Sequence, residues 1–431
     1  MKFVRNWGRL GMKFDIWSFE KKPLPEILSF IVDNRGKTVP TTHSGHILIA
    51  TNCVRNESLY PSYEKIRYLS EETYQNWFRA HPKPGDILFV CKGTPGRVCM
   101  VPDPIDFCIA QDMVALRVND AKVYNKYLLS VLRSVKIQKQ IEQTSVGDVI
   151  PHFKKSFFDQ LLIPIPSMEI QKIIGDYYFA FSEKIEINKK INDNLERQAQ
   201  LLFKSWFVDF EPFNGTMPSE LEVVPFEKIV DFQNGYAFKS KELLNEPSSD
   251  CYQVFKQGHI ARGGGFIPDG TKSWYPKRLA SKLGKFVLKK GDILMAMTDM
   301  KDNVAILGNT AIMPIDNEYI VNQRVGLLRT NGYKGITYPF IYLLTNSKDF
   351  LIDLRSRANS GVQVNLSSAE IKASRTILPS EKVNTAFSEI TLPMFEAIIS
   401  NQLENQRLAQ LRDTLLPRLM SGEIDVSDIQ F

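Results

Sequence analysis

Two stretches of about 40 residues repeat their apolar side chains at the spacing of an amphipathic helix. In residues 168–207 the apolar positions recur at heptad intervals with neighbours three or four residues on, and residues 381–420 show the same spacing. This period predicts two long α-helices. Forty helical residues rise about 60 Å, and each helix would present an apolar seam that needs a partner. We therefore expect the two helices to pack against each other.

The second helix completes an internal repeat that spans most of the chain. A Gly-Asp-Ile-Leu sequence occurs at 85–88 and again at 291–294, and later landmarks recur at offsets that drift between 206 and 215 residues. Within the helices the offset settles at 213. The matched seam positions are Ile174 with Phe387, Phe181 with Met394, Asn188 with Asn401, Leu195 with Leu408 and Leu202 with Leu415. The chain is thus predicted to contain two copies of one globule followed by one helix.

Asn188 and Asn401 place a polar residue at matching points of the two seams. A polar residue on an apolar seam lowers stability and can fix the register or orientation of the helices. The other interpretation, that both lie at the solvent edge of the seam, stays open because the sequence does not fix the heptad position to the residue. Pro393 predicts either a kink in the second helix or its true start.

The pattern before each helix changes to short apolar runs broken by Pro, Gly, Asn and Asp, which is typical of strands and turns. In the first copy the runs predict strands at 47–50, 86–90 and 113–118 and a helix over 124–142. In the second copy they predict strands at 286–288, 292–297, 304–307 and 324–328 and a helix over 338–357. The predicted segments are a first α+β domain (1–166), a helical region (167–210), a second α+β domain (211–380) and a helical region with a tail (381–431).

Composition excludes several classes of protein. The 431 residues exceed one ordinary core, and the apolar and charged fractions, 43% and 24%, are those of a folded soluble protein. No apolar run approaches the roughly 18 residues of a membrane span, and no apolar stretch follows the basic N-terminus as it would in a signal peptide. The five cysteines form no C-x-x-C pair. We therefore expect a cytoplasmic protein with free thiols, without a membrane partner or a zinc site.

The net charge of +6 is distributed unevenly. Residues 1–166 carry a net charge of +7 and residues 211–380 carry +4, whereas 167–210 carry −1 and 381–431 carry −4. A polyanionic partner would therefore bind the two globular segments. The helices are left for contacts with protein.

No sequence motif of covalent chemistry is complete. The segment 36–38 resembles the end of a phosphate-binding loop, but Ile31 stands where that loop needs its first glycine. The five histidines show no metal-ligand spacing, and no Asn/Asp-Pro-Pro-Tyr/Phe tetrapeptide of an amino-methyltransferase is present. Asp269 with Asp299 and Lys301 only loosely imitates a metal-dependent nuclease site. We expect no catalytic and no metal-binding residues.

Two segments combine basic, amide and glycine residues as a base-reading loop requires: 92–97 (KGTPGR) and 256–265 (KQGHIARGGG). Arg and Lys pair with guanine edges, Asn and Gln pair with adenine edges, and small residues let the backbone approach phosphates. Further amides and cations occupy comparable turns. The candidate DNA-binding residues are Asn52, Arg55, Lys92, Thr94, Arg97, Gln111, Lys256, Gln257, Arg262, Lys301, Gln323, Arg324, Gln363 and Asn365. For each residue alone, an ordinary role in a solvated turn stays open.

The ends of the two predicted helices resemble a known family. The segments LFKSWFVDFEPF (202–213) and LRDTLLPRLMSGEI (411–424) resemble the DNA-specificity subunits of type I restriction–modification enzymes, as do the Gly-Asp-Ile-Leu turns and the Ile-Pro-Ile-Pro of 163–166. The resemblance spans about residues 20–426. It implies an α+β fold of two tandem α/β target-recognition domains separated by two long antiparallel helices, with a pseudo-two-fold internal repeat and no catalytic residues. Residues 1–17 do not fit the family pattern and are expected to extend the first domain.

The resemblance also implies a function. The chain would read an asymmetric bipartite site in double-stranded DNA, with half-sites one helical turn, roughly 34–36 Å, apart. Two methylation subunits would bind the helices, and restriction subunits would join through the methylation core. S-adenosylmethionine, ATP and Mg²⁺ would bind to those partners, and no cofactor would bind to this chain. The expected partner anchors, unless they pack between the helices instead, are Phe203, Trp206, Phe207 and Phe210.

Two other functions stay open. One is the specificity half of a split methyltransferase or nuclease, which methyl transfer by the isolated chain would favour. The other is a non-catalytic helical scaffold that binds only protein. That scaffold would show no salt-dependent DNA affinity, whereas each neutralised phosphate contributes about −0.9 to the log–log salt slope.

Overall fold

The computed structural model describes residues 14–34, 36, 38–147, 150–218, 221–300, 304–360 and 363–424, with the backbone alone at 360 and 363. The chain forms two compact units. The first contains the chain up to Asn188 and again from Glu404, and the second contains Lys189–Leu403. Each unit therefore holds one α+β domain and a part of both long helices. Within the described ranges, no helix is long and apolar enough to cross a membrane.

Two small sheets form the core of the first unit. Its strands are β1 (Lys21–Pro23), β2 (Leu28–Val32), β3 (His46–Ile49), β4 (Arg67–Leu69), β5 (Ile87–Val90), β6 (Val98–Met100), β7 (Phe107–Ile109), β8 (Met113–Val118) and β9 (Leu162–Pro164). The larger sheet has the antiparallel order β2-β8-β5-β6, and the smaller has the order β4-β3-β7 with β3 parallel to β7. Every residue of β5 is buried, and so is all of β8 except Arg117. This burial explains why both strands appear in the sequence as continuous apolar runs.

The helices of the first unit are α1 (Glu71–Asn76), α2 (Asn125–Leu132), α3 (Val135–Thr144), the first part of α4 (Met168–Phe207) and the last part of α8 (Glu381–Met420). The prediction of a single helix over 124–142 is wrong. The chain breaks at Ser134, whose hydroxyl accepts a hydrogen bond from the Ile137 N–H and caps α3. The prediction of a helix beginning at residue 168 is confirmed. The ribbon of β1 with β9 lies directly before that helix.

The second unit repeats both sheets. Its strands are β10 (Glu222–Pro225), β11 (Val230–Asn234), β12 (Cys251–Phe255), β13 (Trp274–Pro276), β14 (Ile293–Ala296), β15 (Thr298–Met300), β16 (Thr310–Ile312), β17 (Tyr319–Val321), β18 (Val325–Thr330), β19 (Asn359–Ser360), β20 (Gln363–Asn365) and β21 (Arg375–Leu378). The sheets β11-β18-β14-β16 and β13-β12-β17 correspond to those of the first unit, and β12 is parallel to β17. A third sheet, β15-β20-β19, corresponds to isolated bridges that join Lys92 and Val146 to His152.

The helices of the second unit are α5 (Tyr338–Thr345), α6 (Lys348–Ser356), α7 (Ser368–Ala373), the rest of α4 and the first part of α8 (Glu381–Met420). The predicted helix over 338–357 is again two helices, separated at Asn346 and Ser347. The strands predicted at 286–288 and 304–307 are also wrong. Residues 284–286 form a short 3-10 turn, and 304–307 lie in the loop between β15 and β16. Both segments contain buried residues, which is why they resemble strands in the sequence.

The two copies of the Gly-Asp-Ile-Leu sequence hold their sheets together by the same ion pair. The buried carboxylate of Asp86 accepts hydrogen bonds from Nε and Nη2 of Arg117 at 2.9 and 2.8 Å, and from the Lys83 N–H at 2.8 Å. Asp292 and Arg329 repeat the bidentate pair, with both distances at 2.8 Å. Each pair ties the start of one central strand to the end of its neighbour, β5 to β8 and β14 to β18.

In the first unit, α4 and α8 pack antiparallel around a polar contact. Asn188 is fully buried, and its Nδ2 donates to Glu404 Oε2 at 2.6 Å and to Asn405 Oδ1 at 2.9 Å. Its Oδ1 has no hydrogen-bond partner among the residues that the structure describes. Further along, the guanidinium of Arg412 lies over the ring of Tyr178. Asn188 therefore lies within the seam and not at its solvent edge.

The second unit contains the corresponding contact. Asn401 Nδ2 donates to Asn192 Oδ1 at 2.8 Å, and Asn192 Nδ2 donates to the carbonyl of Ile398 at 3.3 Å. From Asn188 to Asn192 the contact position advances along α4, while its partner moves back along α8 from Asn405 to Asn401. This confirms the predicted antiparallel arrangement. The alternative that α8 begins at Pro393 is wrong, because the helix is continuous from Glu381 and this proline lies on its exposed side.

Asp86→Asn should destabilise the first unit by about 2–4 kcal/mol, because the partly buried Arg117 then has no anionic partner. Asp292→Asn should have the same effect on the second unit. Hydrogen exchange with mass spectrometry follows each unit separately, and faster exchange is expected only in the unit that carries the substitution. Asp120→Asn, at an exposed position, is the control. Equal changes in both units, or none in either, would contradict this anchoring role.

The α4–α8 contact of the first unit should weaken in acid. The hydrogen bond from Asn188 lowers the pKa of Glu404 from its ordinary 4.5; burial opposes this effect and Lys184 adds to it. A carboxylate whose pKa is lowered by folding contributes stability above its unfolded-state pKa and loses it as the pH falls through the folded-state value. The protection of the amides at 180–190 against hydrogen exchange, relative to the intrinsic exchange rate at each pH, should therefore decrease as the pH falls below about 4.5. Glu404→Gln should lack this step, and an unchanged acid profile in that variant would exclude Glu404 as its source.

Candidate nucleic-acid interface

Three turns meet at one edge of the first unit. Strands β3 and β7 are parallel, with Ile49 opposite Ile109, so the turns that follow them leave the sheet on the same side. The carbonyl of Asp112 accepts backbone hydrogen bonds from Cys91 at 2.7 Å and from Lys92 at 3.2 Å, which brings the β5–β6 loop to that side. We call residues 51–53, 91–97 and 111–112 the first loop edge. The predicted residues that lie on it are Asn52, Lys92, Thr94, Arg97 and Gln111.

The side chains of the β5–β6 loop face solvent to different degrees. Lys92 and Thr94 are exposed, and Arg97 is partly exposed. Gln111 is partly buried, and its Nε2 donates to Thr38 Oγ1 at 3.1 Å. This bond uses one amide donor and leaves a second donor and the carbonyl oxygen of Gln111 for a base edge. The edge therefore offers both cations and an amide.

Asn52 and Arg55 are held by the segment around Glu64. Asn52 Nδ2 donates to the Glu64 carbonyl at 2.6 Å, and Arg55 Nη2 lies 2.7 Å from the carboxylate of the same residue. Both partners of the ion pair are about half exposed, 47% and 48%. Such a pair contributes little to stability. Arg55 lies two residues beyond the first loop edge, and breaking its exposed pair with Glu64 costs little free energy.

The second unit builds the same edge from different side chains. Strands β12 and β17 are parallel, and the Asn322 N–H donates to the Phe255 carbonyl at 3.0 Å, so the turns after both strands adjoin. The Met297 N–H donates to the Arg324 carbonyl at 3.1 Å, and Thr298 pairs with Asn365. We call residues 256–259, 297–300, 322–324 and 363–365 the second loop edge. The predicted residues on it are Lys256, Gln257, Gln323, Arg324, Gln363 and Asn365.

A reciprocal hydrogen-bond pair fixes the centre of the second loop edge. Gln257 Nε2 donates to the Thr298 carbonyl at 2.6 Å, and Thr298 Oγ1 donates to Gln257 Oε1 at 2.7 Å. Next to it, the Nδ1 atom of the buried His259 accepts from the Lys256 N–H at 3.1 Å, and burial lowers the pKa of this histidine. The imidazole therefore acts as a neutral acceptor that shapes the turn. The two hydrogen bonds with Thr298 hold the amide of Gln257 in one orientation. The side chains of Gln323 and Arg324 are exposed.

Other predicted residues lie elsewhere or outside the described ranges. Arg262 is exposed on a separate glycine-rich turn. Lys301 lies outside the described residues, and Gln363 is placed only by its backbone in β20. Asn365 is exposed in the same strand. The structure thus brings most of the predicted set together at two edges, one in each unit.

Asp299 organises a loop through its carboxylate, a role that the sequence does not reveal. Its Oδ2 accepts from the N–H groups of Ala305, Ile306 and Leu307 at 2.7, 2.7 and 3.1 Å, and Oδ1 accepts from the Met300 N–H at 2.8 Å. Burial raises the pKa of Asp299, but these backbone donors together lower it. Both oxygens organise the loop. Across the described residues, no group of three or more His, Cys, Asp or Glu side chains could hold a metal ion.

The aromatic residues at the end of α4 divide between two roles. Phe203 and Phe207 are 6% and 3% exposed and pack against Phe340 and Phe387. Intramolecular packing, the alternative to a partner contact, therefore accounts for these two side chains. Trp206 is partly exposed, 5.8 Å from the Phe387 ring. Like Trp206, Phe210 is partly exposed, so these two remain the candidate anchors.

Phe207→Ala should destabilise the second unit by about 3–5 kcal/mol, the cost of emptying a large aromatic site in a core. The adjacent Val208→Ala should change stability by less than about 0.5 kcal/mol, because this valine is exposed. Urea unfolding monitored by hydrogen exchange in the second unit measures both effects. A Phe207→Ala variant as stable as Val208→Ala would contradict the core role.

Comparisons with known proteins agree with this architecture. A sequence model of the type I restriction modification DNA specificity domain matches residues 33–197 and 218–412. The type I restriction enzyme MjaIX specificity subunit of Methanocaldococcus jannaschii is 25% identical over 371 residues, which cover 81% of this chain and 80% of the relative. The type I restriction enzyme HindI specificity subunit of Haemophilus influenzae is 25% identical over 408 residues, which cover 79% and 87%.

A crystal structure of the S subunit of a type I restriction–modification system from M. genitalium has the same fold, with a TM-score of 0.55 and 18% identity over 93% of this chain and 96% of that one. The two matches to the family's sequence model cover most of the chain, and each contains one of the two loop edges. The chain therefore belongs to the family of type I restriction–modification DNA-specificity proteins.

Proposed function

We propose that this chain is the DNA-specificity subunit of a type I restriction–modification enzyme and that each loop edge reads one half of a bipartite target. The observation that carries the proposal is the duplication itself. Two matches to the specificity-domain model coincide with two units that each place amide and cationic side chains on turns at one sheet edge. Amide and cationic side chains are those that read adenine and guanine edges in the major groove.

The two half-sites should differ in sequence. The glutamines after the parallel strands, Gln111 and Gln323, occupy equivalent places in the two units, but their neighbours do not match. Lys92 faces solvent in the first unit, whereas Thr298 at the corresponding place is bonded to Gln257. Unlike side chains on a common frame recognise unlike bases. The target is therefore asymmetric, and the spacing of its halves stays a prediction.

The chain acts without catalytic residues of its own, in the cytoplasm, as the part that positions other subunits on DNA. The internal repeat supports two methylation subunits per chain, since two similar units offer two similar surfaces. Restriction subunits join through that methylation core. S-adenosylmethionine, ATP and Mg²⁺ belong to these partners. Trp206 and Phe210 are the aromatic residues at the end of α4 that a partner can reach.

Gln111→Ala and Gln323→Ala should each relax specificity in a different half of the target. One good amide–adenine pair contributes about 1–3 kcal/mol of discrimination, or about a 5- to 150-fold preference. The chain is reconstituted with the methylation subunit of its own system, and methylated adenines are mapped by sequencing genomic DNA. The exposed Gln160→Ala is the matched control and should leave the target unchanged.

Three outcomes would contradict the proposal. Relaxation of the same half by both glutamine variants would exclude one reader per unit. A DNA affinity that does not fall with salt would favour a scaffold that binds only protein. Methyl transfer by the isolated chain would favour the specificity half of a split enzyme.

A further inference from the structure

We propose that Arg262 and Arg355 together bind one DNA phosphate beside the second loop edge, and that the buried Asn309 positions both. This site rests on the proposed DNA-binding function and adds to it a contact with the backbone of the duplex. Arg355 lies in the last turn of α6, where the sequence pattern does not single it out.

The turn that presents Arg262 has a fixed shape. The Ala261 N–H donates to the Gly265 carbonyl at 2.9 Å, and the Gly265 N–H donates to the Thr310 carbonyl at 2.9 Å. Glycines 263–265 have φ angles of +86°, +106° and +107°, and a Cβ at Gly264 would lie 2.8 Å from the Asn346 side chain. Substituted residues would not adopt this turn without strain. The backbone is therefore held while the guanidinium of Arg262 stays exposed.

Asn309 connects this turn to Arg355. It is 1% exposed, and its Oδ1 accepts from the Gly263 N–H and from Arg355 Nη2, each at 3.4 Å. Its Nδ2 donates to Asn346 Oδ1 at 3.2 Å. A further bond, from Arg355 Nε to the Leu307 carbonyl at 2.9 Å, orients the guanidinium plane. These contacts use two of the five donors of Arg355 and leave the others for an external acceptor.

Arg262 and Arg355 are both positively charged, and neither forms an ion pair with a carboxylate among the described residues. Among the residues that the structure describes, the arginine ion pairs of the second unit involve Arg329 and Arg357, and neither Arg262 nor Arg355. Burial lowers the pKa of Arg355; the charge of Asp299 raises it and that of Arg262 lowers it. The carboxylate of Asp299 is already occupied by backbone N–H groups. An anion between the two guanidinium groups would remove their repulsion, and the planar fork of arginine suits phosphate.

The location favours a phosphate of the DNA that the second unit reads. Leu307 and Asn309 belong to the same β14–β16 connection as Thr298, which is bonded to Gln257 on the second loop edge. Contacts with phosphates fix the register of a protein on the duplex, while neighbouring contacts with base edges give specificity. The two arginines would therefore hold the backbone in register for the amides of this edge.

The test uses the full chain, reconstituted with its methylation subunit, and a duplex of random sequence. Affinity is measured by fluorescence anisotropy between about 50 and 200 mM salt for wild type, Arg262→Gln, Arg355→Gln and the double variant. Each single variant should reduce the log–log salt slope by about 0.9, and the double variant by about the same amount, because both arginines hold one phosphate. Arg355→Lys, which keeps the charge, should retain most of the slope.

Arg278→Gln is the matched control, since this exposed arginine of the second unit lies outside the second loop edge and should not affect the slope. If Arg355→Gln melts at a lower temperature, Arg262→Gln still tests the site, because Arg262 is exposed. Unchanged slopes in both single variants would overturn the site. A reduction in the double variant of about twice 0.9 would assign the arginines to two separate phosphates. A wild type without salt-dependent DNA affinity would overturn the proposed function and this site with it.

Discussion

In each unit, one pair of parallel strands, joined over three residues each, decides where the polar turns lie. All other strand pairs in the described ranges are antiparallel, but β3 pairs with β7, and β12 with β17, in the same direction. Parallel strands end on the same side, so the turns after them become neighbours. With antiparallel pairing, Asn52 and Gln111 would lie at opposite ends of the sheet. The hairpin loop of the adjacent antiparallel sheet completes each edge, because its first residues bond to the turn after β7 or β17.

The frame behind these edges is common to both units, while the loops differ. Asp86 with Arg117 and Asp292 with Arg329 form the same bidentate pair, and each joins the two central strands of its sheet. A frame fixed in this way tolerates changes in the exposed side chains of its loops. The connection after β14 is longer than the one after β5 and contains an extra strand. The asymmetric reading that we propose would thus follow from a symmetric scaffold.

The sequence predicts those features that depend on a regular period. The long helices were predicted correctly because the heptad pattern runs their full length. The sequence does not predict the breaks at Ser134 and Ser347, because the apolar pattern continues across them. Ser134 caps α3 with its hydroxyl, whereas Ser347 makes no side-chain capping hydrogen bond. Glutamines after buried strands could be found as candidate readers. Arg355 could not, because an arginine in the last turn of a helix normally complements the helix dipole. Only the tertiary fold brings Arg355 and Gly263, the neighbour of Arg262, to the same Asn309 side chain.

The polar contacts between the long helices follow the same repeat and restrict their register. With the repeat offset of 213, Asn188 corresponds to Asn401, and Asn192 corresponds to Asn405. The Asn188–Asn405 contact of the first unit is therefore the counterpart of the Asn401–Asn192 contact of the second. A buried asparagine contributes less stability than leucine would, and the Oδ1 of Asn188 has no hydrogen-bond partner within the described ranges. A shift of one helix along the other would also leave the Nδ2 of Asn188 unpaired against apolar side chains. The asparagines therefore lower the stability of the seam while making the observed register more stable than its competitors.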